Sequence, residues 1–148
     1  MSETMKLPAT IPHAAQAAAQ RWGDKPALIE NGQTTSFNDL WREARAAASA
    51  CLAKGIGPGG RVAIWAPNCR EWIVATLGAQ ICGAAVVPLN TRLKGRGAGD
   101  ILRRAKVTVL FTVKEFLGCD YPALLVDEAT PDLAHTVLME GQAWHDFL

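Results

Sequence analysis

The sequence predicts an α/β fold, an open and largely parallel sheet joined by crossover helices, and three observations carry that expectation. Short apolar runs at Arg61–Ala66, Ala84–Pro88, Val107–Phe111 and Ala123–Val126 have the composition of strands covered on both faces. Stretches of helical period alternate with the earlier of these runs. Glycine or proline stands at most of the junctions, where a helix must stop and the chain must turn. Strand and helix alternating in this way imply right-handed connections within one sheet.

Taken in order, Pro12–Trp22 is alanine-rich with proline near its start, which predicts a leading helix closed by Gly23-Asp24. Asn31-Gly32 between Ala27–Glu30 and Thr34–Ser36 predicts a small hairpin. Ser36 three residues before Asp39 opens a helix, and Leu40, Ala44, Ala47, Ala48, Cys51 and Leu52 recur on its expected buried face. Gly55 closes it, Pro58 prevents its resumption, and Arg61–Ala66 is the first sheet strand. Asn68 is the expected cap of a second, largely apolar helix, Arg70–Cys82, ending at Gly83. A crossover helix is expected within Gly95–Ala105, beginning near Gly99 or Asp100 because each helical glycine costs about 1 kcal/mol relative to alanine. Periodicity fades over residues 127–148, where Thr136–Met139 is the candidate last strand. One unit is expected over 1–148: a leading helix in 1–24, an α/β core in 25–112, and a less regular stretch in 113–148.

Composition narrows the function classes. The 148 residues carry 15 basic and 14 acidic side chains, net +1, with no basic block, so nucleic acid is not an expected partner. Residues 1–20 lack the apolar core of a signal peptide, and no apolar run is long enough to cross a bilayer; a cytoplasmic location is the expectation. Cys51, Cys69, Cys82 and Cys119 show no Cys-x-x-Cys spacing and are expected to be reduced structural thiols. With His13, His135 and His145 scattered, no metal site is expected.

Several motifs carry less than their letters promise. Gly55-Ile56-Gly57-Pro58-Gly59-Gly60 fits G-x-G-x-x-G, but it follows a helix and precedes a strand, the reverse of a dinucleotide site. Gly95-Arg96-Gly97-Ala98-Gly99 lies after a strand and before a helix, where Arg96 could face an anion, yet its spacing fails the fingerprint and a surface loop is favoured over a phosphate site. Neither a Walker loop nor a nucleophile elbow is present. Glu30 and Asp127-Glu128 are expected to be solvated loop charges, and the five tryptophans core residues rather than stacking platforms.

The order of segments resembles the N-terminal region of the adenylate-forming enzymes, the superfamily of acyl-CoA synthetases, aryl-CoA ligases, luciferases and peptide-synthetase adenylation domains. The similarity runs through Pro26–Ile29, Thr35–Leu40, Gly55–Ile64, Pro67-Asn68, Glu71-Trp72, Ile101-Leu102 and Val107–Thr112. Its most specific piece is Gly83–Leu93, whose Pro88-Leu89-Asn90-Thr91-Arg92-Leu93 is most like fatty-acyl or aryl-CoA ligases. The resemblance implies the N-terminal portion of the acyl-CoA synthetase large domain. It implies activation of a carboxylic acid, fatty acid being the weighted guess, through an acyl-adenylate made from Mg-ATP and then transfer to coenzyme A.

In such enzymes the phosphate loop ending in Pro-Lys-Gly, the adenine and ribose motifs and the catalytic lysine lie further along the chain, and none occurs in these 148 residues. The chain alone is therefore expected to be inactive, with no catalytic residue and no cofactor of its own, while ATP, Mg2+ and CoA belong to the full-length enzyme. One residue carries over by its place in the motif. Arg92 matches an arginine that contacts a coenzyme A phosphate in some aryl-CoA ligases, a task suited to a guanidinium fork. The alternative is a loop anchor bonding backbone carbonyls, and both stay open. Gly95–Gly99 stands where the family has a glutamate-bearing helix start, which puts local order there in question. A non-catalytic binding or assembly module is the competing function, and an exposed sheet edge or face predicts a homo-oligomer in either case. An unrelated nucleotide-binding domain is disfavoured by the glycine spacings.

Overall fold

The computed structural model describes residues 8–148; the start of the leading segment, residues 1–7, lies outside them. Thr10 caps α1 (Ile11–Trp22) by accepting the His13 N–H at 3.3 Å. The hairpin β1 (Pro26–Glu30) and β2 (Gln33–Ser36) turns on Asn31 and Gly32, both at positive φ (48° and 77°), as a two-residue turn of matching twist requires. Ser36 then opens α2 (Phe37–Ala53): its Oγ accepts the Asp39 N–H at 3.0 Å and donates to the Asp39 carboxylate at 2.7 Å.

β3 (Arg61–Trp65), α3 (Arg70–Ile81), β4 (Ala85–Pro88), α4 (Gly95–Arg104) and β5 (Val109–Thr112) follow as the expected alternation. After β5 come a two-stranded excursion, β6 (Glu115–Phe116) and β7 (Cys119–Asp120), a single helical turn α5 (Tyr121–Leu124), then β8 (His135–Leu138) and α6 (Gly141–Phe147). The main sheet has the order β4-β3-β5-β8 with every pair parallel. Chain direction across the sheet reverses between β3 and β5, so right-handed crossovers put α3 and α4 on opposite faces. β3 and β5 occupy the centre, and from Val62 to Trp65 and Val109 to Thr112 their residues are buried without interruption.

The two edges differ. Ala85 and Leu89 donate inward to Gly60 and Ile64, so the alternate positions of β4 face out, and one of them is Pro88, which has no N–H. At β8, His135 and Met139 donate inward to Thr108 and Thr112, leaving Thr136 and Leu138 with outward N–H groups.

Several sequence expectations are corrected. Ala123–Val126 is not a strand, because Asp120 accepts the Ala123 N–H at 2.9 Å and Pro122 occupies the first turn, which winds this apolar run into α5; the fourth strand is β8. Asn68 does not cap α3. Cys69 holds the cap position without a side-chain bond, and the Glu30 carboxylate, read as a solvated charge, accepts the Arg70 N–H at 3.3 Å from the hairpin. Leu52 is 57% exposed, on the outer side of α2, and Trp22 is 40% exposed rather than core.

The last correction is α4, which begins at Gly95, not at Gly99 or Asp100. A Cβ on Gly95 would lie 1.8 Å from the Leu124 carbonyl oxygen, and one on Gly99 would lie 2.9 Å from Glu128 Cβ. Residues 95 and 99 are one turn apart on the same side of the helix. The glycines therefore let α5 and the turn after it pack directly on the α4 backbone, and the stretch is an ordered helix start, not a surface loop.

Candidate functional site at the C-terminal ends of the central strands

In an open parallel sheet, ligands gather outside the carboxyl ends of the strands near the point where strand order reverses. Here that point lies between β3 and β5, and it is filled. The Trp65 indole at the end of β3 is fully buried and stacks on Tyr121, with ring centroids 4.2 Å apart and planes 13° apart. Thr112 at the end of β5 closes the strand gap by donating to the Trp65 carbonyl at 2.8 Å.

The two stacked rings spend their polar atoms on one loop. Trp65 Nε1 donates to the Asn90 carbonyl at 3.1 Å, and Tyr121 Oη donates to the Thr91 carbonyl at 2.6 Å. Burial, with a smaller contribution from Cys119, pushes the Tyr121 phenol above its ordinary value, which keeps this donor protonated. Asn90 Oδ1 in turn accepts the Arg92 N–H at 2.9 Å, an Asx turn. The loop after β4 is thus held by Trp65, Tyr121 and Asn90.

Arg92 projects from this braced loop as an exposed side chain. Trp65, Tyr121 and Asn90 each supply an anchoring bond to this loop. Arg96, the other candidate anion contact, is exposed in the first turn of α4, and the neighbouring Lys94 ammonium lies 3.2 Å from Cys119 Sγ. Beside the loop, an open cleft of about 430 Å³ is lined by Pro67, Asn68, Trp72, Pro88, Asn90 and Phe116, among others.

Sequence reasoning missed Tyr121, the chain's single tyrosine, because it sits where hydrophobic periodicity has faded. It also placed Trp65 in the core without seeing that its indole N–H fixes a loop 25 residues away.

The four cysteines are free thiols. Burial pushes Cys51 up to about 12 and Cys69 up to about 11, and raises Cys82, whose Sγ donates to the Ala48 carbonyl at 3.1 Å. Among the described residues no group of three or more His, Cys, Asp or Glu side chains gathers, and no helix is long and apolar enough to cross a membrane.

The fold coincides with a known class. Residues 15–146 match the family described as AMP-binding enzyme, and the chain belongs to that family. It is 41% identical over 143 residues to a Mycobacterium tuberculosis 3-[(3aS,4S,7aS)-7a-methyl-1,5-dioxo-octahydro-1H-inden-4-yl]propanoyl:CoA ligase, covering 94% of this chain and 28% of that protein. A Salmonella typhimurium crotonobetaine/carnitine–CoA ligase is 34% identical over 126 residues, 82% of this chain and 24% of the relative. The chain thus spans about a quarter of the length of these relatives.

Among solved structures, a Mycobacterium tuberculosis fatty acyl CoA synthetase superposes with a TM-score of 0.82 at 21% identity, over 92% of this chain and 27% of that one. The anthranilate CoA ligase AuaEII in complex with anthranoyl-AMP gives 0.76 at 26% identity, over 86% and 24%. The α/β layer is that of the N-terminal subdomain of adenylate-forming enzymes.

Proposed function

We propose that the chain supplies the N-terminal layer of an ATP-dependent, AMP-forming acyl-CoA ligase, in which a carboxylate attacks the α-phosphate of ATP and coenzyme A then displaces AMP. The observation that carries this reading is the family match over residues 15–146, together with relatives that are CoA ligases. ATP, coenzyme A and Mg2+ are the expected cofactors of the complete enzyme. The acid is proposed to be bulky and largely apolar. The support for this class over the fatty acid expected from the sequence is that the Mycobacterium relative is named for a fused-ring propanoate. The chain's own contribution is Arg92, proposed to meet a phosphate of coenzyme A because a braced loop presents its guanidinium to solvent.

Fragment complementation tests the reading. Pyrophosphate release is measured with ATP, coenzyme A and the fused-ring propanoate, first for the 148-residue chain alone and then after co-expression with the segment of the Mycobacterium ligase that follows its matching region. The chain alone is expected to be silent and the pair active. Activity of the chain alone, or a complemented pair that stays silent while the same Mycobacterium segment works with its own N-terminal part, overturns it. A homo-oligomer is proposed for the isolated chain, with a second copy pairing at β8, because the outward Thr136 and Leu138 N–H groups are open there whereas Pro88 blunts β4. Light scattering should give a dimer or larger species that Thr136→Pro reduces to monomer; a wild-type monomer at micromolar concentration refutes it.

A further inference from the structure

We propose that Lys94 and Cys119 are the two halves of a reversible oxidative cross-link: a hydroperoxide oxidises the Cys119 thiol, and the Lys94 amine captures the oxidised sulfur as a sulfenamide. The inference is independent of the ligase reading, because it rests on two side chains of this chain and on what holds them together.

The two groups meet across 25 residues, Lys94 Nζ lying 3.2 Å from Cys119 Sγ. Each is mounted on ordered backbone. Lys94 is the cap residue of α4, where its carbonyl accepts the Ala98 N–H at 3.0 Å, and Cys119 sits in β7 opposite Phe116. Gly95, next to Lys94, packs on the Leu124 carbonyl, which holds the start of α4 against the segment that follows Cys119. Neighbouring polar groups are committed elsewhere: Asp120 Oδ1 accepts the Ala123 N–H, and Tyr121 Oη donates to the Thr91 carbonyl. Among the described residues no carboxylate pairs with Lys94, so its ammonium is left to the sulfur.

The other thiols have a different setting. Cys51 and Cys82 are buried, Cys69 is half-buried, and burial pushes all three thiols up, which makes them slow to react. Cys119 is half-exposed with an ammonium against its sulfur, the setting of reactive thiols, and so departs from the structural role expected of it.

The chemistry balances. The Cys119 thiolate attacks one peroxide oxygen, the O–O bond breaks, and sulfur gives up two electrons to become a sulfenic acid. The departing hydroxide takes one proton from the Lys94 ammonium and becomes water. The resulting amine attacks the sulfenic sulfur; the S–N bond forms, the S–O bond breaks, and the second hydroxide leaves with another amine proton as water. Two thiol equivalents reverse the link, the first opening the S–N bond to a mixed disulfide and the second releasing Cys119. While it lasts, the bond staples the β6–β7 hairpin to the start of α4.

The test treats the 148-residue chain with a small excess of hydrogen peroxide and follows intact mass, peptide map and melting temperature. A loss of about 2 Da is expected, carried by a peptide that joins residues 94 and 119 and undone by dithiothreitol. Closing the loop should raise the melting temperature by about 5–10 °C. Lys94→Arg keeps the cation but not the nucleophilic amine, so Cys119 should stop at the sulfenic acid, which dimedone captures, with no cross-link. Cys119→Ser should lose both the adduct and the cross-link. Both variants change surface positions, and unaltered melting before oxidation confirms that they fold. A wild-type Cys119 that dimedone captures with no joined peptide overturns the proposal. So does a mass loss that maps to a disulfide, or a Cys119 that stays a thiol under peroxide.

Discussion

The two helical layers of the sheet are packed by different means. On one side α2 packs against α3, Ala44, Ala47, Ala48, Ala75 and Gly78 being buried on the two helices, and a Cβ on Gly78 would come within 2.6 Å of Ala47 Cβ. On the other side α4 meets α5 and the following turn through Gly95 and Gly99, where the obstacle to a side chain at residue 95 is a backbone carbonyl. Small side chains bring two helices close; the absence of side chains brings a turn onto a helix backbone. Neither obstacle has a rotatable side chain to give way, since the Ala47 Cβ moves only with its backbone as the Leu124 carbonyl does, so the closer approach at Gly95, 1.8 Å against 2.6 Å at Gly78, sets the difference.

The sharpest way to break this comparison is Gly95→Ala, which forces Leu124 and α5 away and should cost roughly 3 kcal/mol or more, the upper end for overpacking. Urea unfolding of the variant measures it, and a loss below that of Gly78→Ala contradicts the contrast. Gly78→Ala meets the Ala47 methyl at 2.6 Å and its carbonyl carbon at 3.0 Å, and is expected to cost about 2 kcal/mol in the same measurement.

Alkali should act on the α2–α3 layer. Cys51 titrates near 12 when folded and near its ordinary 9.0 when unfolded, so the unfolded chain loses this proton first. Its stabilisation is complete below about pH 9 and is lost as pH rises from there toward about 12. Melting temperature should fall across that window, and Cys51→Ala should flatten the slope; an unchanged slope would exclude Cys51 as its source.

Gly97→Ala sharpens the comparison from the opposite side. Its Cβ would meet only the flexible end of Leu93, at 3.1 Å, so the helix-propensity gain of about 0.5–1 kcal/mol is mostly offset and thermal melting should change by little, in the stabilising direction. The smallest effect is acid-dependent. The Ser36 hydroxyl, and then Arg42, hold the exposed Asp39 carboxyl below its ordinary 3.8, so this contribution is present above that pH and lost as pH falls through the lowered value. Asp39→Asn should reduce helix stability at pH 7 but not at pH 2, as followed by circular dichroism.

What was legible in the sequence follows the range over which its signals act. The hairpin at Asn31-Gly32, the Ser36 cap, the stop at Gly55 and the strands flanking α3 are set by residues a few positions apart, and the structure has them. Expectations failed where a partner distant in sequence decided the outcome. Glu30 caps a helix 40 residues later, and Leu124 gives Gly95 its reason. Ala123–Val126 failed for a local reason: Asp120 and Pro122 turn a strand-like composition into one helical turn. Of the candidate site, Arg92 was visible through the motif around it, while Tyr121 and Trp65 were not, because nothing in a one-dimensional pattern marks which carbonyl a buried phenol or indole will find.

By itself, the sequence determined the parallel α/β alternation, the family and the motif that carries Arg92, since periodicity, turn chemistry and motif order are properties of neighbouring residues. Only the tertiary structure decided that the glycines of α4 are a packing surface and that the strand-end loop is braced by Trp65 and Tyr121. It also brought Trp72 and Phe116 to one cleft. Those outcomes depend on hydrogen bonds and close approaches between segments 20 to 50 residues apart, whose partners exist only once the chain has folded.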